Sequence, residues 1–148
     1  MSEAIVKNAL QAALVDLIDL SLQAKQAHWN IQGPRFRSLH LQLDEIVEEV
    51  RTDSDDVAER LAALGHAPDG RAATVSKESG IGDITENFLA VSKGYELMVS
   101  KLQAAADRIK ENLDEVDAAD PLSADMLIGI ATGLEKQAWM LRSATVEE

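Results

Sequence analysis

The sequence predicts an all-α fold, a bundle of four long helices with a long crossover between the second and the third. Three observations carry that prediction. Apolar residues recur at steps of three and four along four separate stretches, the pattern of helices with one buried face. Glycine or proline stands between the stretches, where helices stop and start. The segment from Gly65 to Asp83 holds Pro68, Gly70, Gly80 and Gly82 with little apolar content. That is too long for a tight turn and suits a chain crossing from one end of a bundle to the other. The 148 residues form one domain, 1–148, large enough to bury a real core.

The first helix runs from about Glu3 to Ala27, with Leu10, Leu14, Leu17, Ala24 and then His28 on one stripe. Lys7, Gln11, Asp16, Asp19 and Lys25 take its other faces. Gly33 closes that helix and Pro34 opens the next, which continues to Leu64. Its core stripe is Phe36, Leu39, Leu43, Ile46, Val50, Val57, Leu61 and Leu64, weakened at Asp53 and Ser54, where a polar contact or slight bend is expected. In the crossover, His66 and Asp69 lack spaced partners and read as solvent-exposed. Asp83 and Glu86 fit a capping box for a third helix reaching about Val116, with Gly94 as an interruption that would move its start later. Leu97, Leu102, Ala105, Ile109, Leu113 and Val116 give it an apolar face, with Tyr95 nearby. Asp120 or Ser123 caps the fourth helix at Pro121, and Met126, Ile130, Leu134, Ala138 and Leu141 form its stripe to about Ser143.

The chemistry concentrates between His28 and Glu59. His40 and Asp44 are spaced i, i+4, and so are Asp55 and Glu59, so each pair shares a helix face. At about 100° per residue, Asp55 lies about 20° round the helix from Asp44, and all four side chains fall within a sector of about 100°. Along the axis, however, the steps from Asp44 to Asp55 span roughly 16 Å at about 1.5 Å each. Metal–ligand bonds of about 2 Å cannot close that gap. The two clusters act independently, or a second copy of the helix lies antiparallel across a two-fold axis near Val50 and Arg51 and brings them together. Arg51, on the shared face, would then offset the gathered carboxylates. Glu48 lies about 40° from Asp44 and is either a nucleation carboxylate or plain surface. No Glu-x-x-His pair, the signature of di-iron sites inside one bundle, occurs.

Composition narrows the options. Without cysteine, the available ligands are His, Asp and Glu, which suit iron, manganese or zinc. No apolar run approaches a membrane span and no signal peptide is visible, so a soluble cytoplasmic protein is expected. A net charge of −12 opposes unassisted binding to phosphate backbones and is compatible with drawing in cations. No internal repeat, phosphate-binding glycine loop, serine-hydrolase elbow or zinc-protease motif appears.

Written out, the pattern is His28-Trp29-Asn30, then His40, Asp44, Asp55 and Glu59 with nine, three, ten and three residues between them. This resembles the DNA-binding-protein-from-starved-cells (Dps) family, the mini-ferritins, and the resemblance extends to the segment from Leu134 to Trp139. It implies a ferritin-like four-helix subunit, a hollow dodecamer and a ferroxidase centre between subunits. His28, His40 and Asp44 would come from one subunit, Asp55 and Glu59 from its neighbour. The resemblance also implies hydrogen peroxide rather than dioxygen as the preferred oxidant of Fe(II), and ferric mineral stored inside. It places Asp120 and Asp125 at three-fold entry pores, and Trp29 and Trp139 near the site, where they would intercept oxidising equivalents. Two alternatives remain at this stage. The same ligands could hold zinc or manganese in a metal-assisted hydrolase. The chain could instead compact DNA, although it lacks the Lys/Arg-rich tails of DNA-binding members, with one Lys in its first eight residues and Thr145-Val146-Glu147-Glu148 at its end.

Overall fold

The computed structural model describes residues 2–147; Met1 and Glu148, part of the two chain ends read above as poor in basic residues, lie outside them. The fold is mostly helical. Two long helices, α1 (Ser2–Asn30) and α2 (Phe36–Ala63), pack extensively on each other, and so do α4 (Val91–Lys110) and α6 (Pro121–Ser143). Their apolar stripes meet in one contiguous core that includes Leu10, Leu17, Leu39, Leu43, Ile46, Met98, Leu102, Leu127 and Leu134. The expected stripes of α1 and α2 are buried from Leu10 to His28 and from Leu39 to Leu61. Phe36 is exposed, and Leu64 and Met126 only pack against the core's edge. The weak point of the α2 stripe holds a polar contact, as Ser54 Oγ donates to the Val50 carbonyl at 2.8 Å.

The connection between α1 and α2 corrects the expected helix start. α2 begins at Phe36, not Pro34, because Arg35 adopts a left-handed backbone (φ 65°) that a helix cannot continue. Its strain is offset on both sides. The guanidinium lies 5.5 Å from the Tyr95 ring centroid, and Nη1 donates to the Ala144 carbonyl at 2.6 Å. Just before this turn, β1 (Ile31–Gln32) pairs in parallel with β2 (Leu89–Ala90), which leads into α4. Gly94 therefore does not interrupt α4 but lets it come close. A Cβ there would lie 2.8 Å from Ile31 Cγ2 and 3.0 Å from Leu39 Cδ2, so only glycine allows α4 to press on the turn between the two histidines.

The long crossover joins α2 to α4, as ferritin-like topology requires, but it carries structure of its own. It includes α3 (Ala72–Glu78), and the residues expected to be free in solvent are tethered. Asp69 accepts from Arg71 and Thr74, while Gln11 of α1 bonds its backbone on both sides. His66 Nε2 lies 3.4 Å from a Glu3 oxygen. The expected capping box at Asp83 and Glu86 does not form. That stretch is held extended by the buried Lys101, whose Nζ donates to the carbonyls of Ile81 and Asp83 at 2.7 Å each, and by Gln23, which donates to Gly82 O at 2.6 Å. Burial pulls the Lys101 pKa below the usual lysine range, against the opposing pull of Asp19 and Asp83.

Asp16 reverses its expected exposure. It is buried, accepting from Arg108 Nε at 2.6 Å and from the Gly80 backbone N–H at 2.9 Å, and so ties α1, α4 and the crossover together. The guanidinium fills the space beside Gly80, where a Cβ would sit 2.0 Å from Arg108 Cζ. The third helix also ends earlier than expected. The chain breaks at Asn112, a poor residue for a helix interior, and restarts as α5 (Leu113–Ala119), which turns Val116 into the core. Asp120 caps α6 as anticipated, its Oδ1 accepting from Leu122 N–H at 3.2 Å with Pro121 in the first turn.

Two stability predictions follow from these anchors. Arg108→Ala leaves the Asp16 carboxylate buried with one backbone donor, and urea unfolding should show a loss of about 2–3 kcal/mol, below the full cost of a broken buried pair because the arginine is partly exposed. The Ser123 hydroxyl and then the Arg60 guanidinium hold the Asp120 carboxyl below the usual carboxylate range. Its folded pKa thus lies below its unfolded one, so ionisation adds stability at neutral pH that fades as pH falls from about 4 through the folded value. The stability gap between the protein and Asp120→Asn should narrow on going from about pH 5 to about pH 3; a constant gap would contradict the assignment.

Candidate metal centre

His28 reaches the site because α1 continues through it. The helix ends at Asn30, whose side-chain amide donates to Gln26 O at 2.8 Å and so satisfies a terminal carbonyl. The short turn then brings the start of α2 back alongside, and His40 meets His28 face to face, with ring centroids 3.6 Å apart and planes 12° from parallel. Phe36, one turn earlier on α2, stacks on the other side of His40 at 4.7 Å.

The hydrogen bonds between the two histidines are reciprocal. His28 Nδ1 lies 2.6 Å from the His40 carbonyl, and His40 Nδ1 lies 2.8 Å from the His28 carbonyl. A carbonyl can only accept, so each Nδ1 carries a hydrogen and donates it. In the neutral imidazole each Nε2 is then the nitrogen with a free lone pair, the atom a metal uses, and a backbone carbonyl fixes the orientation of each ring. His28 Nε2 stands 3.7 Å from Asp44 Oδ1. His28 is 7% exposed, which limits its motion.

Asp44 has a partner that the sequence pattern placed elsewhere. Lys25 does not face away from the stripe; its Nζ lies 2.5 Å from Asp44 Oδ1. This hydrogen bond is the main reason the Asp44 pKa falls below its usual value, with the two histidines contributing less. The available signal was the three-residue spacing from Lys25 to His28, which puts both on one side of α1. Phe36 was assigned to the core rather than to His40.

Asp55 and Glu59 are exposed on α2, three turns beyond Asp44. The negative charge of Asp55 is the main cause of a raised Glu59 pKa, followed by a hydrogen bond between the two carboxyls. They form a close acidic pair, and among the described residues neither makes a salt bridge. Nearby, Asp53 is half-buried and pushed up to about 6, first by desolvation and then by Glu49 and Asp56. Within one chain the two halves of the pattern stay apart. Among the described residues no group of three or more His, Asp or Glu could hold a metal ion.

The remaining candidates are dispersed. Trp29 is 65% exposed beside His28, and Trp139 is 55% exposed on α6. Glu48 and Asp125 face solvent. Asp120 has both oxygens engaged, Oδ1 by the α6 cap and Oδ2 by Arg60 at 2.8 Å and Ser123 at 2.5 Å.

Residues 7–147 match the family model for a ferritin-like domain. The chain is 33% identical over 147 residues to the DNA protection during starvation protein 2 of Bacillus anthracis, covering 93% of this chain and 94% of that protein. The chain belongs to the Dps family. A second Dps-family relative, the DNA protection during starvation protein 2 of Deinococcus radiodurans, is 34% identical over 135 residues. That match covers 91% of this chain, which spans only about half of the Deinococcus protein, 56% of its length. The fold superposes on the Dps of Microbacterium arborescens in its high iron form with a TM-score of 0.92, at 29% identity and over 99% of this chain and 95% of that one. The helical bundle described above is thus the Dps form of the ferritin-like fold.

The reciprocal bonds make a direct prediction. In the metal-free protein, nitrogen-15 spectra of labelled histidine should show hydrogen on Nδ1 of both His28 and His40. An Nδ1 without hydrogen on either ring would contradict the bonding scheme.

Proposed function

We propose that this Dps-family chain is a ferroxidase and iron store, with His28, His40 and Asp44 of one subunit and Asp55 and Glu59 of a neighbour as the Fe(II) site. The observation that carries this reading is the pair of stacked imidazoles, each oriented by a backbone carbonyl with Nε2 left free, beside the carboxylate of Asp44. That half supplies nitrogen and oxygen donors, while the unpaired carboxylates of Asp55 and Glu59 supply the charge a cation needs. A neighbour's α2 lying antiparallel, with the axis near Val50 and Arg51, brings one half to the other twice over. Trp29 and Trp139, both exposed, would take up stray oxidising equivalents.

Iron here is the substrate. Carboxylate oxygens favour the harder Fe(III) over Fe(II), so the donor set lowers the free energy of the oxidised product. Hydrogen peroxide takes one electron from each of two Fe(II) ions and, with two protons from water, leaves as two water molecules, which removes the pair of reactants that generates hydroxyl radical. Glu48 offers a surface carboxylate for the ferric product, and Asp125, exposed on α6, a route of entry, whereas Asp120 is engaged by the cap and by Arg60. Zinc or manganese would fit the same donors as substitutes.

The names of the relatives speak of DNA protection during starvation. For this chain we assign protection to the removal of iron and peroxide rather than to gripping DNA. A chain with 14 basic and 26 acidic residues repels a phosphate backbone.

Anaerobic Fe(II) loading followed by stepwise peroxide, with protein and iron tracked through size-exclusion chromatography, tests the reading. Iron should co-elute with a particle of about 190 kDa, twelve copies of the 16.0 kDa chain. The His28→Ala, His40→Ala double variant should assemble normally and lose at least about 100-fold in the rate of Fe(II) oxidation. An unchanged rate would sink the site assignment, and a small protein with precipitated iron would sink the cage.

A further inference from the structure

The inference rests on His28, His40 and Asp44 forming half of a metal site, and it concerns the cation already there. Lys25 Nζ sits 2.5 Å from Asp44 Oδ1, and that same oxygen is the one 3.7 Å from His28 Nε2. A metal bridging His28 Nε2 and Asp44 needs this oxygen, and with ligand bonds of about 2 Å it would sit within a few ångströms of the ammonium. Like charges at that distance, in a site whose histidine is buried, cannot both stay. The lysine side chain is 27% exposed, so its head has solvent to move into, while its stem lies along α1.

We propose that Lys25 is an internal competing cation: it holds Asp44 beside the imidazoles in the metal-free protein and must be displaced for a metal ion to bind. The exchange is of one cation for another, with no bond to carbon made or broken. Lys25 is a positioning residue, not a ligand, and it acts in two directions. It keeps the carboxylate ordered before metal arrives, and it weakens metal binding because part of the metal-free population is blocked. Its return to Asp44 supplies a replacement charge when a ferric ion leaves for the store.

The test is calorimetric titration of the assembled, metal-free protein with Zn(II), a metal that undergoes no oxidation. Lys25→Met keeps the length of the side chain and removes its charge. It should bind Zn(II) about two- to fivefold more tightly than the unaltered protein, the factor that a partly exposed ion pair can impose. It should also unfold at a lower temperature without metal and gain more from added Zn(II). Lys25→Arg, which keeps the cation, should bind no more tightly than the unaltered protein. Lys25→Gln serves the same titration if Lys25→Met does not assemble. A purely supporting lysine would give lower stability with unchanged or weaker Zn(II) binding in the neutral variants, and that result overturns the proposal. His28→Ala separates the two levels. If it leaves Zn(II) binding intact in the otherwise unaltered protein, the metal-site reading fails and this inference with it. If it abolishes binding while Lys25→Met gains nothing, this inference alone fails.

Discussion

The mutual grip of His28 and His40 is the contact on which the site depends. Each ring donates to the backbone carbonyl of the other residue while the two faces stack, so neither can rotate without losing a buried hydrogen bond and the stacking together. The contact also joins two helices at one end, since His28 belongs to the end of α1 and His40 to the start of α2. A polar interaction at the edge of the core thereby orients both rings, while the apolar stripes hold the helix pair together.

Much of the surrounding structure keeps that junction in place. Gly94 lets α4 press against Ile31 and Leu39, β1 and β2 tie the turn to the end of the crossover, and Arg35 accepts an unfavourable backbone conformation while reaching Tyr95 and Ala144. Farther along, Asp16 and Lys101, two buried charges on different helices, hold the crossover at Gly80 and at Ile81 to Asp83. Such groups are costly to bury unless every polar atom finds a partner, and here the partners are Arg108 for Asp16 and, for both residues, crossover backbone groups that helices and strands do not use. The crossover is ordered by polar anchoring more than by apolar burial, which explains why its sparse hydrophobic content gave no hint of the order it has.

Charge is divided within the site as well. The histidine half carries its own cation in Lys25, whereas in the other half the charge of Asp55 raises the Glu59 pKa and Asp53 is pushed up to about 6 nearby. One half of the pattern is at rest in an isolated chain and the other is not. That imbalance gives a physical reason for the acidic half to attract either a metal or a neighbouring chain's cation.

The sequence by itself determined the helical class, the four long stripes, the long crossover and the Dps pattern from His28 to Glu59, because helix periodicity and ligand spacing are local properties written in the order of residues. It also determined that Asp44 and Asp55 are too far apart to share an ion in one chain, since helix rise is fixed. Tertiary structure decided what periodicity cannot express. It buried Asp16, brought Lys25 to Asp44, held Asp83 and Glu86 out of a helix, placed Arg35 where Pro34 was expected to start one, and turned the rings of His28 and His40 so that Nδ1 is bonded and Nε2 is free. Each of these depends on a partner outside its own segment, and the periodicity of one segment does not specify that partner.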